Sequence, residues 1–241
     1  MVLVHGFTQN TGCWGKVVEL LSLQLEVVLV DAPGHGKSGH DQADLHDAGR
    51  LVGEIGGTAV YVGYSMGGRM ALHLALDQPE RVRGLVLIGA TAGIEDHVER
   101  RRRLDADHRL ADELLELGLP AFIDRWLASP LFATLPAESA FRAERLDNRP
   151  GGLAASLRSA GTGTQRSLWA RLPGLEMPVL LIAGRDDRKF SSISQRMAAA
   201  IGRDATIAIE PGGHAVHLHR PHAVASRIIS FVHRSIARPT R

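Results

Sequence analysis

The chain carries a single cysteine (Cys13), three lysines (Lys16, Lys37, Lys189), few aromatics and almost no net charge. A lone cysteine excludes an intramolecular disulfide, so a packed core must hold the fold, and a reducing, cytoplasmic setting is expected. No motif surrounds Cys13, which is expected to be a buried structural thiol rather than a nucleophile. No stretch approaches the roughly 20 apolar residues that span a bilayer, and Met1-Val-Leu-Val-His-Gly6 lacks the basic start and long apolar core of an export signal. The 28 Lys+Arg against 26 Asp+Glu leave a formal +2, too little to suggest a nucleic-acid surface or a polybasic membrane patch. With lysine so scarce, arginine is nearly the sole cation. Its planar guanidinium reads carboxylates in bidentate fashion wherever it faces a cavity.

At 241 residues the chain can hold one α/β core plus an insertion. Short β-branched runs at Val2–Val4, Val27–Val30, Ala59–Val62, Gly84–Ile88, Val179–Ala183 and Thr206–Ile209 read as buried parallel strands. Helical patterns near residues 14–22, 42–54, 66–77, 191–201 and 222–236 fall where right-handed crossovers need them, so a doubly wound sheet is predicted. Residues 91–170 have no convincing strand and read as helices at about 95–117, 119–127, 136–146 and 151–159. The expected organisation is a core of residues 1–90 and 171–241 with a helical cap at 91–170.

Strand Ala59–Val62 runs into Gly63-Tyr64-Ser65-Met66-Gly67-Gly68 and then a helical pattern, the strand–turn–helix setting that Gly-x-Ser-x-Gly requires. The flanking glycines permit a sharp turn that exposes Ser65 at a helix start, where negative charge is favoured. His5-Gly6-Phe7 follows the first strand, so the amides of Phe7 and Met66 are the candidate oxyanion donors. A triad also needs a later acid and base. Strand Val179–Ala183 leads into Gly184-Arg185-Asp186-Asp187, and Thr206–Ile209 leads into Glu210-Pro-Gly-Gly-His214, each at the carboxyl end of a strand. His214 is the candidate base and Asp187 the favoured acid, with Asp186 as a solvated neighbour. A metal site at His214-x-x-His217 with Glu210 ranks well below this triad. Asp31-Ala-Pro-Gly-His-Gly-Lys-Ser38 lacks the glycine spacing of a phosphate loop and reads as a structural turn.

These segments (His5-Gly-Phe7, Asp31-Ala-Pro-Gly-His-Gly36, Gly63 to Arg69, Gly184 to Phe190, Gly213-His-Ala-Val-His217) together resemble the α/β-hydrolase superfamily over nearly the whole chain. Arg69 directly after the elbow, Asp187-Arg-Lys-Phe190, and the stretch from Arg100–Arg103 to Trp126-Leu-Ala-Ser-Pro-Leu-Phe-Ala133 are narrower. They resemble the 2-succinyl-6-hydroxy-2,4-cyclohexadiene-1-carboxylate (SHCHC) synthase family of menaquinone biosynthesis. The resemblance implies a lyase that uses Ser65, Asp187 and His214 to remove a proton and eliminate pyruvate from a polycarboxylate. It implies substrate contacts from Tyr64, Arg69, Arg103, Trp126 and Arg145, with no metal or organic cofactor. Strands that precede the His-Gly loop in this fold have no counterpart here: either these edge strands are absent or the given start is too late.

The residues themselves point toward an anionic small molecule. Arg69 lies one turn beyond Ser65 on a shared face, where it either reaches the pocket or pairs with a helix neighbour. Four consecutive arginines at 100–103 cover a full turn, so at least one faces inward, while Glu95, Glu99 and Asp105 are available to pair with the rest. Trp126 is either cap core or substrate contact. A carboxylester or carbon–carbon hydrolase acting through an acyl-enzyme is the alternative activity, and an inert binding scaffold the non-enzymatic one. A monomer or small homo-oligomer is expected.

Overall fold

The structure, a computed structural model, describes residues 1–235. Six parallel strands form one sheet: β1 (Val2–Val4), β2 (Val28–Val30), β3 (Ala59–Tyr64), β4 (Val82–Ile88), β5 (Val179–Gly184) and β6 (Ala205–Glu210), in the order β2-β1-β3-β4-β5-β6. The crossovers supply α1 (Lys16–Ser22), α2 (Leu45–Gly56) and α3 (Met66–Asp77). Between β4 and β5 lie α4 (His97–Leu117), α5 (Leu119–Leu127), α6 (Arg142–Leu146) and α7 (Pro150–Ala160). The last part adds α8 (Arg188–Ile201), the short α9 (Val216–His219) and α10 (Pro221–Ser235). Among these helices none is long and apolar enough to cross a membrane.

Period-two alternation builds two cores from one sheet. Val2, Val4, Tyr61, Leu85, Leu87, Val179 and Leu181 point into the layer filled by α2, α3 and α8. Leu3, Val60, Val62, Val86, Ile88, Leu180 and Ile182 point the other way, against α1 and α10. Covered on both faces, the strands read as nearly unbroken apolar runs, which is why they were legible in the sequence. The chain leaves β1 to build β2 on one side and then β3 on the other, so the winding reverses at β1. In open α/β sheets the crevice at the carboxyl ends of such strands is where sites assemble. The stretch from α4 to α7 carries its own apolar cluster (Ala111, Leu114, Phe122, Ile123, Leu153 and Leu157) and contains no strand.

Several boundaries differ from those predicted. Strand β3 continues through Tyr64 and β4 begins at Val82, because the two pair with each other from Ala59 opposite Val82 to Tyr64 opposite Ile88. Helix α8 starts at Arg188 rather than 191, since the Asp187 carboxylate accepts the Phe190 N–H at 3.2 Å and caps it. The helix expected over 136–146 is broken: Ala137–Ser139 forms a 3-10 turn, Phe141 sits at φ 54°, and only α6 follows. The helix expected from residue 14 is split at Gly15, φ 48°, where a Cβ would strike the Phe141 ring. Residue 236 of the last expected helix lies outside the described residues.

Candidate active site

Strand β3 delivers Ser65 into an unusual backbone state, φ 50° and ψ −106°, at the start of α3. Such a conformation costs a non-glycine residue about 1–3 kcal/mol and survives only where its surroundings impose it. Here Ser65 N–H donates to Ile88 O at 2.8 Å, and Gly67 N–H donates to His5 O at 3.1 Å. The flanking glycines are steric requirements. A Cβ on Gly63 would lie 2.5 Å from Gly67 O, and one on Gly67 would lie 2.2 Å from Val4 O. Gly184 plays the same part on the acid side, since a Cβ there would lie 2.1 Å from Gly213 O. The loops carrying Asp187 and His214 are thereby packed backbone to backbone.

Ser65, His214 and Asp187 form a continuous hydrogen-bonded line. Ser65 O–H donates to His214 Nε2 at 3.0 Å, and His214 Nδ1–H donates to Asp187 Oδ2 at 2.8 Å. The carboxylate thus sets the tautomer that leaves Nε2 free to accept. Asp186 is exposed, and its amide donates to Gly212 O at 2.9 Å, so of the two adjacent aspartates only Asp187 meets the imidazole. The buried His214 ring is held between Phe190, 4.5 Å away between centroids, and Tyr64, 5.4 Å away.

Two buried histidines shape the loop that carries Phe7. His5 Nδ1–H donates to Gly6 O at 2.8 Å while Nε2 accepts from Ala32 N–H at 3.1 Å. His35 Nδ1–H donates to Pro33 O at 3.1 Å while Nε2 accepts from Thr8 N–H at 3.3 Å. Both rings are neutral, because burial pushes His5 down to about 4 and His35 to about 3. Among the described residues neither the Phe7 nor the Met66 amide donates to a protein group, and Met66 is the first residue of α3, where N–H groups have no helical partner. The turn after β2 holds its own anion: Asp31 accepts Thr11 N–H at 2.7 Å and Lys37 N–H at 2.9 Å, which is how a structural turn closes. His217 lies 4.1 Å from Tyr64 and 5.2 Å from Trp14 between centroids, and burial lowers it to about 3. Glu210 receives Arg227 at 2.7 Å. Neither residue is placed with His214 in a metal-ligand cluster among the described residues.

Ser65 and His214 open onto a cavity of about 540 Å³. Phe7, Tyr64, Met66, Arg69, Arg103, Trp126 and Arg145 all line it, while Asp187 stands behind His214. Arg69 is buried and donates to Gly161 O at 3.1 Å. Arg145, 1% exposed, donates to Ala140 O at 2.8 Å and to the Thr8 hydroxyl, with its guanidinium carbon 5.9 Å from the Phe132 ring centre. Among the described residues neither has a carboxylate within ion-pair distance. Burial lowers both guanidinium pKa values, Arg69 to about 10, and a guanidinium keeps its charge in a protein interior. An unpaired buried cation is costly until an anion joins it.

Arg69 therefore has no helix-neighbour salt bridge. Within the arginine run, Arg103 faces the cavity, and its Nε donates to the buried Asp107 at 2.7 Å, whose other oxygen accepts Gly163 N–H at 2.8 Å. Of the acids offered to that run, Asp105 meets Arg101 at 3.7 Å, Glu95 instead reaches across to Arg196 of α8, and Glu99 forms no ion pair among the described residues. Trp126 packs on the apolar cluster of α4 to α7 and also lines the cavity, stacked on Phe122 at 6.3 Å and edge-on to Phe7 at 5.4 Å. Sequence reasoning noted Lys189 and Phe190 only as part of a family stretch and not as cavity residues, and it missed Ile193 and Arg196 of α8 and Trp169, over which Arg196 stacks at 3.9 Å. The 189, 193, 196 spacing is a helical face, obscured because the helix was expected to start later.

A sequence profile described as alpha/beta hydrolase family matches residues 1–227. A provisionally named 2-succinyl-6-hydroxy-2,4-cyclohexadiene-1-carboxylate synthase of Bacillus subtilis (strain 168) is 35% identical over 96% of this chain and 89% of its own length. The synthase of that name from Serratia proteamaculans (strain 568) is 28% identical over 96% of this chain and 92% of its own. MenH from S. aureus superposes with a TM-score of 0.89 at 29% identity, over 97% of this chain and 93% of that one.

Proposed function

Because the chain belongs to the alpha/beta hydrolase family, and within it to the SHCHC synthases, we propose that it is a carbon–oxygen lyase releasing pyruvate from a polycarboxylate precursor of menaquinone. The observation that carries this is the pair of buried guanidiniums, Arg69 and Arg145, which line the cavity with Ser65 and His214 and have no carboxylate within ion-pair distance among the described residues. A hydrolase for neutral esters gains nothing from them. A substrate bearing several carboxylates supplies the missing partners, with Arg103 at the cavity wall adding a further charge-assisted contact.

In this reaction Ser65 gives its proton to His214 Nε2 and takes an acidic C–H proton of the substrate. The freed electron pair spreads into a conjugated carbonyl, whose oxyanion is received by the Phe7 and Met66 amides. The C–O bond to the enolpyruvyl group then breaks, that oxygen collects the proton held on His214, and the enol becomes pyruvate. Asp187 steadies the imidazolium throughout. No water is consumed, no redox change occurs and no metal or organic cofactor enters the balance. Tyr64 and Trp126 provide wall and ring contacts, and residues 91–170 act as the cap over a core of 1–90 and 171–241.

A second reading is a serine hydrolase working through an acyl-enzyme, favoured by the two unpartnered amides beside Ser65, which serve a tetrahedral oxyanion equally well. Pyruvate release from the menaquinone precursor alongside negligible nitrophenyl-ester turnover is the expected result. Brisk ester hydrolysis with no pyruvate would reverse the assignment.

A further inference from the structure

We propose that α2 and α3 carry a binding site for a zinc-class divalent cation, formed by His46, His73 and Asp77 and separate from the Ser65 cavity. The site depends on how closely the two helices approach. A Cβ on Gly49 of α2 would lie 2.8 Å from Met70 O and 3.0 Å from Leu74 N, so only glycine allows this crossing. One turn before Gly49 stands His46, and on α3 the residues His73 and Asp77 share a face at i and i+4. One ligand atom from each residue falls within 4.8 Å of the other two. His46 Nδ1–H donates to Asp77 Oδ2 at 2.8 Å, a proton that a bound cation would replace, and His73 Nδ1 is 4.0 Å from the same oxygen. Donor atoms around a tetrahedral zinc with bonds of 2.0–2.1 Å stand about 3.3 Å apart. The two observed gaps straddle that value.

His73 supplies an independent sign. It is 9% exposed, and among the described residues its Nδ1, the nitrogen toward Asp77, makes no hydrogen bond, which leaves that nitrogen open to a ligand; the enclosed Nε2 takes no part. At 4.0 Å its Nδ1 is too far from the carboxylate to bond to it directly, yet well placed to flank a shared cation. Arg171 donates to Asp77 Oδ1 at 2.8 Å and to Leu76 O at 2.9 Å, fixing the carboxylate with Oδ2 toward the two imidazoles. Metal-binding carboxylates commonly carry such an outer-shell hydrogen bond. The nearby guanidinium charge limits affinity to a modest range.

Two imidazole nitrogens and one carboxylate oxygen suit zinc, cobalt, nickel or copper rather than magnesium or calcium. His46 is largely exposed, so the cation reaches the site from solvent and water completes its coordination. His73 and Asp77 follow Ser65 by eight and twelve residues along α3, roughly 12 and 18 Å at the helical rise. The cation therefore pins α2 to the helix that carries Ser65 without joining the reaction.

Calorimetric titration of the metal-stripped protein with zinc sulfate should give one site per chain with a micromolar dissociation constant. Zinc at about ten times that constant should raise Tm by roughly 3–5 °C. His46→Ala, a change at an exposed position, should abolish both effects, Asp77→Asn should weaken binding at least about tenfold, and pyruvate release should be the same in wild type and His46→Ala. Absence of any zinc-dependent shift in the wild type overturns the proposal, as does one-to-one binding that persists in His46→Ala. Either result leaves the lyase assignment untouched, because that is read by pyruvate release.

Discussion

Replacing Arg69 with alanine separates substrate binding from folding. Its guanidinium is buried, faces the cavity, and among the described residues holds only the Gly161 carbonyl, to which Thr164 Oγ1–H also donates at 2.9 Å. Truncation therefore leaves no protein group without a donor, and it removes a cation whose burial already lowers its pKa to about 10. Folding should lose little and can gain, since an unpaired buried charge opposes it. Substrate binding should lose much more. Truncating one partner of a buried, hydrogen-bonded charge pair costs about 2–4 kcal/mol, roughly 30- to 1000-fold in kcat/KM. If Arg69 grips a carboxylate away from the breaking bond, most of the loss falls on KM. Steady-state pyruvate release by Arg69→Ala, with its Tm measured in parallel, reads both quantities. An unfolded variant refutes the structural half, and a folded variant with kcat/KM within twofold of wild type refutes the anion-binding half.

Ser65→Ala should remove pyruvate release to background while leaving Tm within a few degrees of wild type; residual turnover above a tenth of wild type excludes Ser65 as the base. Asp187→Asn keeps a side chain able to cap α8 but no longer enforces the His214 tautomer, so kcat should fall on the order of 10²–10⁴-fold with a modest change in Tm. Acid should destabilise the fold early. His5, His35 and His217 have folded pKa values of about 4, 3 and 3, below the ordinary value near 6.5. The unfolded chain thus takes up protons first. Their contribution is intact above that ordinary value and is lost as pH falls from it toward the folded values. The three together set an upper slope of about 4 kcal/mol per pH unit near pH 5, and a urea midpoint that fails to drop between pH 7 and 5.5 contradicts it. Cys13 is 1% exposed and burial raises its thiol to about 11, so alkylation by iodoacetamide at pH 8 should need unfolding; rapid labelling of the native protein would sink that claim.

The sheet was readable because its strands are covered on both faces and announce themselves as apolar runs bounded by glycine-rich turns. The meeting of Ser65, Asp187 and His214 was readable for a topological reason: each follows a strand, and parallel strands deliver their carboxyl ends to one edge. What failed to read has local causes. Asp187 is both the acid facing His214 and the cap of α8, and attention to the first role hid the second, which moved the helix start and with it the face bearing Lys189, Ile193 and Arg196. The left-handed turn at Phe141 has no signature of its own. It goes with the seating of its ring against Gly15, 126 residues earlier, a contact no local pattern encodes.

The cations are the more instructive case, because part of their fate was in the sequence. A helical arginine finds its cheapest partner at i±3 or i±4. Arg103 has Asp107 there, and the structure pairs them. Arg69 has Ser65, Met66, Leu72 and His73, and Arg145 has Phe141, Arg142, Asn148 and Arg149, so neither has an acid within reach on its own helix. That pattern narrows the search but does not decide it. Arg158 and Arg196 also lack local acids, yet tertiary packing brings Asp112 to the first at 2.5 Å and Glu95 to the second. Whether a cation remains without a partner is a property of how helices from distant segments meet. Among the described residues Arg69 and Arg145 stay without an acidic partner where α3, α6 and α7 line one cavity with Ser65, and the proposed anion-binding role rests on that convergence.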